Sequence, residues 1–284
     1  MQRHSQGLIS AGIAPLYGGP EKGVIVDEGL YGMACRLLPE EKNGYVHIDM
    51  EYGYEGYVSR EEVIPGTWEE ILREGESLVR VWKGQIDIQA EPKVTSVMLI
   101  SVPRGSVLGC LGQEAQKDLP AGWTAVRLAD GQVGYTKTGF LRPYLPVSRD
   151  IPSDEEAFRK AVTETARMYE GTAYRWGGKT PQGIDCSGLC SIAYLLNGVI
   201  IYRDAAIKPG FPLKEIAREQ MKPGDLLFFP GHVAMYLGGE RQMYIHSTAK
   251  AGSDGVDYNS LCPGDPLFRK DLAEGITGIA SLFA

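Results

Sequence analysis

Cys186 stands in Gly183-Ile184-Asp185-Cys186-Ser187-Gly188-Leu189-Cys190, where a glycine-flanked loop runs straight into an apolar stretch of helical character. A free thiol ionises near pH 8.5, so little of it is thiolate at neutral pH. Unpaired N–H groups and the dipole at a helix N-terminus favour the anion, and a neighbouring imidazolium favours it further. The same N–H groups can hold the oxyanion of a tetrahedral intermediate. Cys186 is therefore a candidate nucleophile. Cys190 falls one helical turn later on the same side and reads as core packing.

Two of the four histidines lie in later segments of strand character: His232 opens HVAMYL after Gly231, and His246 closes QMYIHST. A hairpin loop of odd length around Gly239 makes them direct cross-strand partners, about 5 Å apart at Cβ. An even loop sends them to opposite faces. A functional arrangement of the two therefore requires the odd loop. His4 and His47 match no motif and read as ordinary residues.

Several elements must position these groups. Ser153-Asp154-Glu155-Glu156 fits a capping box, and a helix is expected from there to about residue 170. Phe158, Val162, Thr165 and Tyr169 share one face of it, and Gly171 stops it. A second helix is expected over about 187–196, and strands over 225–229, 232–237 and 242–246. Residues 149–284 thus read as an α+β domain.

The first half is rich in short alternating runs broken by Gly and Pro, which read as strands. Gly44, Tyr45, Gly53, Gly56 and Tyr57 recur, as the same residue or an aromatic equivalent, at Gly122, Trp123, Gly131, Gly134 and Tyr135. A fixed offset suggests a duplicated small β-domain, placed at 1–77 and 78–148. Its pattern resembles the bacterial SH3-like barrel, with Tyr45, Tyr54, Tyr57, Trp123 and Tyr135 expected mainly in barrel cores.

Composition narrows the function. Apolar residues are 43% and charged residues 23% of the chain, an ordinary globular balance. The net charge is −7 with no basic block, which argues against nucleic acid and against an anionic membrane surface. No apolar run is long enough for a membrane helix or a leader peptide, so a cytoplasmic location is expected, or an extracytoplasmic one if a leader was removed. Five irregularly spaced cysteines argue against a disulfide scaffold, and no Cys or His spacing suits zinc. No metal or cofactor is expected.

Residues 151–284 resemble the NlpC family of cell-wall cysteine peptidases, a branch of the papain-like enzymes. The resemblance rests on Tyr174-x-Trp176-Gly177-Gly178, Asp185-Cys186-Ser187-Gly188, Pro223-Gly224-Asp225-Leu226, Gly231-His232-Val233 and Ile245-His246, in the family's order. The layout of two SH3-like domains before the peptidase resembles its dipeptidyl-peptidase VI branch. The resemblance implies cleavage of the γ-D-glutamyl bond to a diamino acid in muropeptides that begin with free L-Ala. It implies Cys186 as nucleophile, His232 as base, His246 as third member and Tyr174 as an oxyanion donor. It places Asp185 and Ser187 at substrate, although Asp185 can also serve only as a helix cap. It sets Asp204 at the substrate amine. It also implies that the first barrel borders the cleft, with Glu28 and Tyr54 (Tyr57 the alternate) as contributors. Tyr54 aligns with Gln132 in the second copy and so departs from the shared pattern. Two other functions stay open: a wall-peptide binding module with a vestigial third domain, and a transferase using the same thioester. An intact set of Cys186, His232 and His246 favours the hydrolase over the binding module.

Overall fold

The computed structural model describes residues 5–284, and His4 lies outside the described residues. The chain divides into two compact units, one ending at Tyr144 and one spanning Leu145–Ala284.

The regular structure of the first unit is mostly strand. Its earlier part contains β1 (Gln6–Ile9), β2 (Ile13–Tyr17), β3 (Ile25–Leu30), β4 (Ala34–Lys42), β5 (Tyr45–Met50), β6 (Glu55–Ser59) and β7 (Val63–Pro65). A single helical turn, α1 (Trp68–Ile71), follows, held by a capping box between Thr67 and Glu70. The later part contains β8 (Ser77–Val81), β9 (Gln85–Gln89), β10 (Met98–Pro103), β11 (Val107–Cys110), the short α2 (Gln113–Gln116), β12 (Trp123–Arg127), β13 (Val133–Lys137) and β14 (Leu141–Pro143). The first seven strands pair in the order β3-β2-β6-β5-β4-β1-β7, and the second seven in the order β10-β9-β13-β12-β11-β8-β14. The two orders are the same, each strand advanced by seven. No pairing joins β3 to β7 or β10 to β14, so the described sheets do not close into the barrels expected from the sequence.

The repeat is wider than the sequence offset suggested. The spacing of 78 residues holds from β5 and β12 onward, where Tyr45 corresponds to Trp123. Upstream it is 71 at the first residues of β1 and β8, Gln6 and Ser77, and 73 at those of β3 and β10, Ile25 and Met98. The connection carrying α2 accounts for the change, because Asn43 and Gly44 alone join β4 to β5.

The repeated aromatics also fall on the other face. In β5 the buried residues are Val46, Ile48 and Met50, and Tyr45 is only half-buried. Strand side chains alternate between faces, so Tyr57, Trp123 and Tyr135 are half-buried too. Tyr57 stacks on His47 with ring centroids 4.6 Å apart, and Lys137 lies 3.8 Å from the Trp123 ring centroid. The core is instead mainly aliphatic, with Tyr31 and Trp68 as its buried aromatics. It joins Leu8, Tyr31 and Trp68 from the earlier part to Val81, Ile88, Val107 and Val126 from the later part. Tyr31 Oη accepts the Ala129 N–H at 2.8 Å, and the Val107 N–H donates to Tyr31 O at 2.8 Å. At Gly32, φ is +73° and an added Cβ would stand 2.0 Å from Val107 O, so only glycine fits there.

In the second unit, α3 (Glu155–Arg167) is capped by Asp154, whose Oδ1 accepts the Ala157 N–H at 3.0 Å. The cap is one residue later than the expected Ser153. Phe158, Val162, Thr165 and Tyr169 are buried as the helical spacing predicted. A hairpin of β15 (Lys179–Thr180) and β16 (Gly183–Ile184) delivers the chain to α4 (Cys186–Leu195). Every residue of α4 but Ser191 is buried, so the helix lies in the middle of the unit. The sheet contains β17 (Lys214–Glu215), β18 (Leu226–Phe229), β19 (His232–Gly238), β20 (Met243–Thr248), β21 (Gly255–Ser260) and β22 (Gly278–Ser281), with α5 (Lys270–Ala273) before the last strand. Its order is β17-β22-β18-β19-β20-β21. Pro223-Gly224-Asp225 ties helices to sheet: Arg159 donates to buried Asp225 at 2.7 Å, and Tyr194 Oη donates to Gly224 O at 2.6 Å.

Ile88 is fully buried in the core shared by both sheets. Ile88→Ala is expected to cost about 2–5 kcal/mol, the range for removing a large core side chain. Urea denaturation followed by tryptophan fluorescence checks this. A loss well under 1 kcal/mol would show that the sheets do not depend on a common core.

Candidate active site

Cys186 is the first residue of α4, where amide N–H groups have no intrahelical partner. Asp185 holds it there. Its Oδ1 accepts the Gly188 N–H at 2.6 Å, and its Oδ2 accepts the Gly177 N–H at 2.8 Å. Buried Arg203 donates Nη1 to Oδ1 and Nη2 to Oδ2, both at 3.0 Å. Arg203 also reaches Ser187 Oγ at 2.8 Å and Gly178 O at 3.3 Å. The motif glycines allow backbones to touch. A Cβ on Gly188 would stand 2.1 Å from Gly178 O, and one on Gly178 would stand 2.4 Å from Gly183 O.

Asp185 and Ser187, expected at substrate, also bond the loop, the helix and Arg203 with their polar atoms. Arg203 was missed. Nothing in Arg203-Asp204 signals that the arginine turns inward. Asp204 is half-buried and hydrogen-bonded to Tyr202. It lines a small recess with Ser187, Tyr202 and Val233. Glu28 and Tyr54 lie in the first unit, Glu28 buried in β3 and Tyr54 half-buried in the turn before β6. Cys190 is buried, and all five cysteines are free.

The two histidines meet, but not as direct partners. β19 pairs with β20 through Met235↔Ile245 and Tyr236↔Tyr244. Extended by that register, His232 faces Thr248 and His246 faces Ala234. The residues are diagonal neighbours on one face, although the connection has four residues, 239–242, rather than the odd number expected, because the register shifts between Tyr236 and Gly238. Their side chains close the gap, with His232 Nε2 2.7 Å from His246 Nδ1. His246 Nε2 lies 2.9 Å from Oδ1 of Asn259, a residue that the sequence did not single out.

Burial governs the electrostatics. It pushes the Cys186 thiol up, as does the Asp185 charge, while backbone N–H groups of Val233 and Ser187 and the Arg203 charge pull it down. Burial takes His232 down to about 3, helped by His246 and Arg269. Burial likewise takes His246 down to about 4, opposed by its bond to Asn259. The resting pair is therefore a neutral thiol and a neutral imidazole, and His232 is free to act as a base. Half-buried Tyr174 is pushed up to about 12, first by burial and then by the Cys186 charge, so its phenol remains a donor. Among the described residues, no group of three or more His, Cys, Asp or Glu side chains is placed to hold a metal ion.

These imidazoles link stability to pH. In the unfolded chain they bind protons near pH 6.5, and in the folded chain only near 3 to 4. Between those limits the unfolded state holds more protons, so stability rises with pH. It should be complete above about 6.5 and fall as the pH drops toward 4. His246→Gln removes one titrating group and should shrink the fall. Denaturation midpoints at pH 7 and 4.5 test this, and an equal fall in both proteins would refute the assignment.

The model of the NlpC/P60 family matches residues 171–270. Dipeptidyl-peptidase 6 of Lysinibacillus sphaericus is 44% identical, over 97% of this chain and 99% of its own. The bifunctional muramidase/DL-endopeptidase CwlT of Bacillus subtilis (strain 168) is 33% identical over 116 residues, 38% of this chain and 33% of that protein. The crystal structure of a NlpC/P60 family protein from Bacillus cereus ATCC 10987 has the same fold. It matches with a TM-score of 0.77 over 99% of this chain and 100% of that one, at 20% identity. A thiol at a helix start and a base held by a second histidine fit that kinship, and the chain belongs to the NlpC/P60 family as a cysteine peptidase.

Proposed function

We propose that the protein hydrolyses the γ-D-glutamyl bond to the diamino acid in short muropeptides that begin with free L-Ala. The observation that carries the reading is the thiol of Cys186 at the start of α4, in one unit with a neutral His232 backed by His246. The relative's name, dipeptidyl-peptidase 6, supports a dipeptide product. Kinship along nearly the whole chain supports keeping both β-sheets in the reading, as SH3-like modules of a wall-peptide enzyme.

The chemistry follows from the groups present. His232 takes the thiol proton as sulfur attacks the amide carbonyl carbon. Charge moves to the carbonyl oxygen, where the Tyr174 hydroxyl and N–H groups at the helix start are suitable donors. The C–N bond breaks, the imidazolium gives its proton to the leaving amine, and a thioester remains on Cys186. Water then attacks the thioester and loses a proton to His232. The carboxylate product leaves, and the returning proton restores the thiol.

Asp204 is the proposed acceptor for the substrate ammonium. An ammonium entering a partly buried recess loses hydration and needs acceptors in exchange. Asp204 sits in such a recess beside Ser187 and Val233, which neighbour the nucleophile and the base. Tyr202 donates to it and fixes its direction. Binding the amine there blocks extension at that end, so intact amide-linked wall would be spared.

The test is incubation with L-Ala-γ-D-Glu-diaminopimelate, with products read by mass spectrometry. The native enzyme should release L-Ala-γ-D-Glu. Cys186→Ala should keep the fold and lose roughly ten-thousand-fold or more of kcat, as removal of a nucleophile does. A folded Cys186→Ala variant with near-native turnover would reject the mechanism. The N-acetylated peptide should be a poor substrate. Asp204→Asn should lower kcat/KM for the free peptide roughly 10- to 100-fold, the worth of a hydrogen bond to a charge. Equal cleavage of free and acetylated peptides would sink the amine site.

A further inference from the structure

We infer that Asn259 in β21 is a positioning residue that fixes the tautomers of both active-site imidazoles. Its amide has one orientation. Nδ2 donates to Leu267 O at 3.0 Å, and a carbonyl can only accept, so Oδ1 must face His246. That oxygen lies 2.9 Å from His246 Nε2 and can only accept, so His246 carries its proton on Nε2. His246 Nδ1 is then a bare acceptor. It lies 2.7 Å from His232 Nε2, which must donate. His232 in turn keeps Nδ1 bare, and this is the lone pair that takes the thiol proton. Any other assignment places two donors or two acceptors face to face.

The geometry comes from the register of three strands. His246 in β20 is opposite Asp257 in β21, and Asn259 is two residues further along on the same face. His232, His246 and Asn259 form one diagonal row across β19, β20 and β21. The row suits both stages of the reaction. When His232 gains a proton on Nδ1, its Nε2–H still donates to His246, and His246 still donates to Asn259. No bond needs to turn over as charge appears, which is what preorganisation requires. An amide rather than a carboxylate at the end of the row holds the tautomer without adding charge, so the imidazoles stay neutral at rest.

Other groups bear on these rings. Arg269 disfavours a positive charge on both. Asp257 and Asp271 favour one on His246. The rings of Phe229 and Tyr244 pack against His232 and His246. Asn259 is distinct from all of these because it alone is bonded to the far nitrogen of His246.

The test uses Asn259→Leu, which keeps the volume but removes the acceptor, and Asn259→Asp, which keeps the acceptor and adds a charge. The inference rests on the cysteine-peptidase reading, so one readout needs no substrate. In ¹⁵N-histidine spectra of the native protein at pH 7, both His246 and His232 should carry protons on Nε2. Asn259→Leu should lose that pattern, and its kcat should fall roughly 10- to 100-fold with KM little changed. Asn259→Asp should keep the pattern and recover most of kcat. Its acid limb of kcat/KM should move up by about one pH unit or more, because a carboxylate favours the imidazolium. A proton on Nδ1 of native His246 would overturn the inference. So would a folded Asn259→Leu with native kcat and tautomers, or one that loses activity with its tautomers intact. Failure of Asn259→Asp to shift the pH profile would also overturn it.

Discussion

The carboxylate of Asp185 accepts from the Gly177 and Gly188 amides, from the Ser187 hydroxyl and from two nitrogens of Arg203. These bonds fix where α4 begins, how close the preceding loop lies and therefore where the Cys186 sulfur points. The pair is almost fully removed from water, with side-chain exposures of 2% for Arg203 and 9% for Asp185. Losing one partner of such a pair typically costs about 3–5 kcal/mol, because the other charge is left buried alone. The glycines at 178 and 188 follow from the same constraint, since any side chain there would force loop and helix apart.

That arrangement has an electrostatic cost. The charge that secures the helix start also opposes a thiolate on the next residue, and Arg203 only partly offsets it. Burial adds to the opposition. The helix N-terminus therefore does not store a thiolate at rest. It helps to hold one for the time that His232 carries the proton. A buried imidazolium gives up its proton readily, which suits the later delivery to a leaving amine.

The scaffold outside the site serves to keep two strands in register with one helix. α4 is buried at every residue but Ser191, and Arg159, Asp225 and Tyr194 tie it to α3 and to the start of β18. The hairpin between β18 and β19 turns in two residues, Pro230 and Gly231, which brings His232 opposite Phe229. In the first unit, the two sheets of matching strand order share one mainly aliphatic core.

Much of the site was legible in local sequence. A cysteine after an N-cap aspartate, a histidine after a turn glycine and helical spacing at Phe158, Val162 and Thr165 are short-range signals, and each maps onto an element. The repeat showed only where the offset stayed at 78, because an insertion at α2 displaced the rest. Alternation revealed strands but not which face is inward, so the conspicuous aromatics were placed in the core when the quieter valines and isoleucines fill it. Tertiary structure alone decided the pairing of Arg203 with Asp185, the diagonal meeting of His232 with His246 and the role of Asn259. The physical reason is common to all three. Each depends on strand register or on a buried charge finding its partner, and both are set by contacts between segments far apart in the chain.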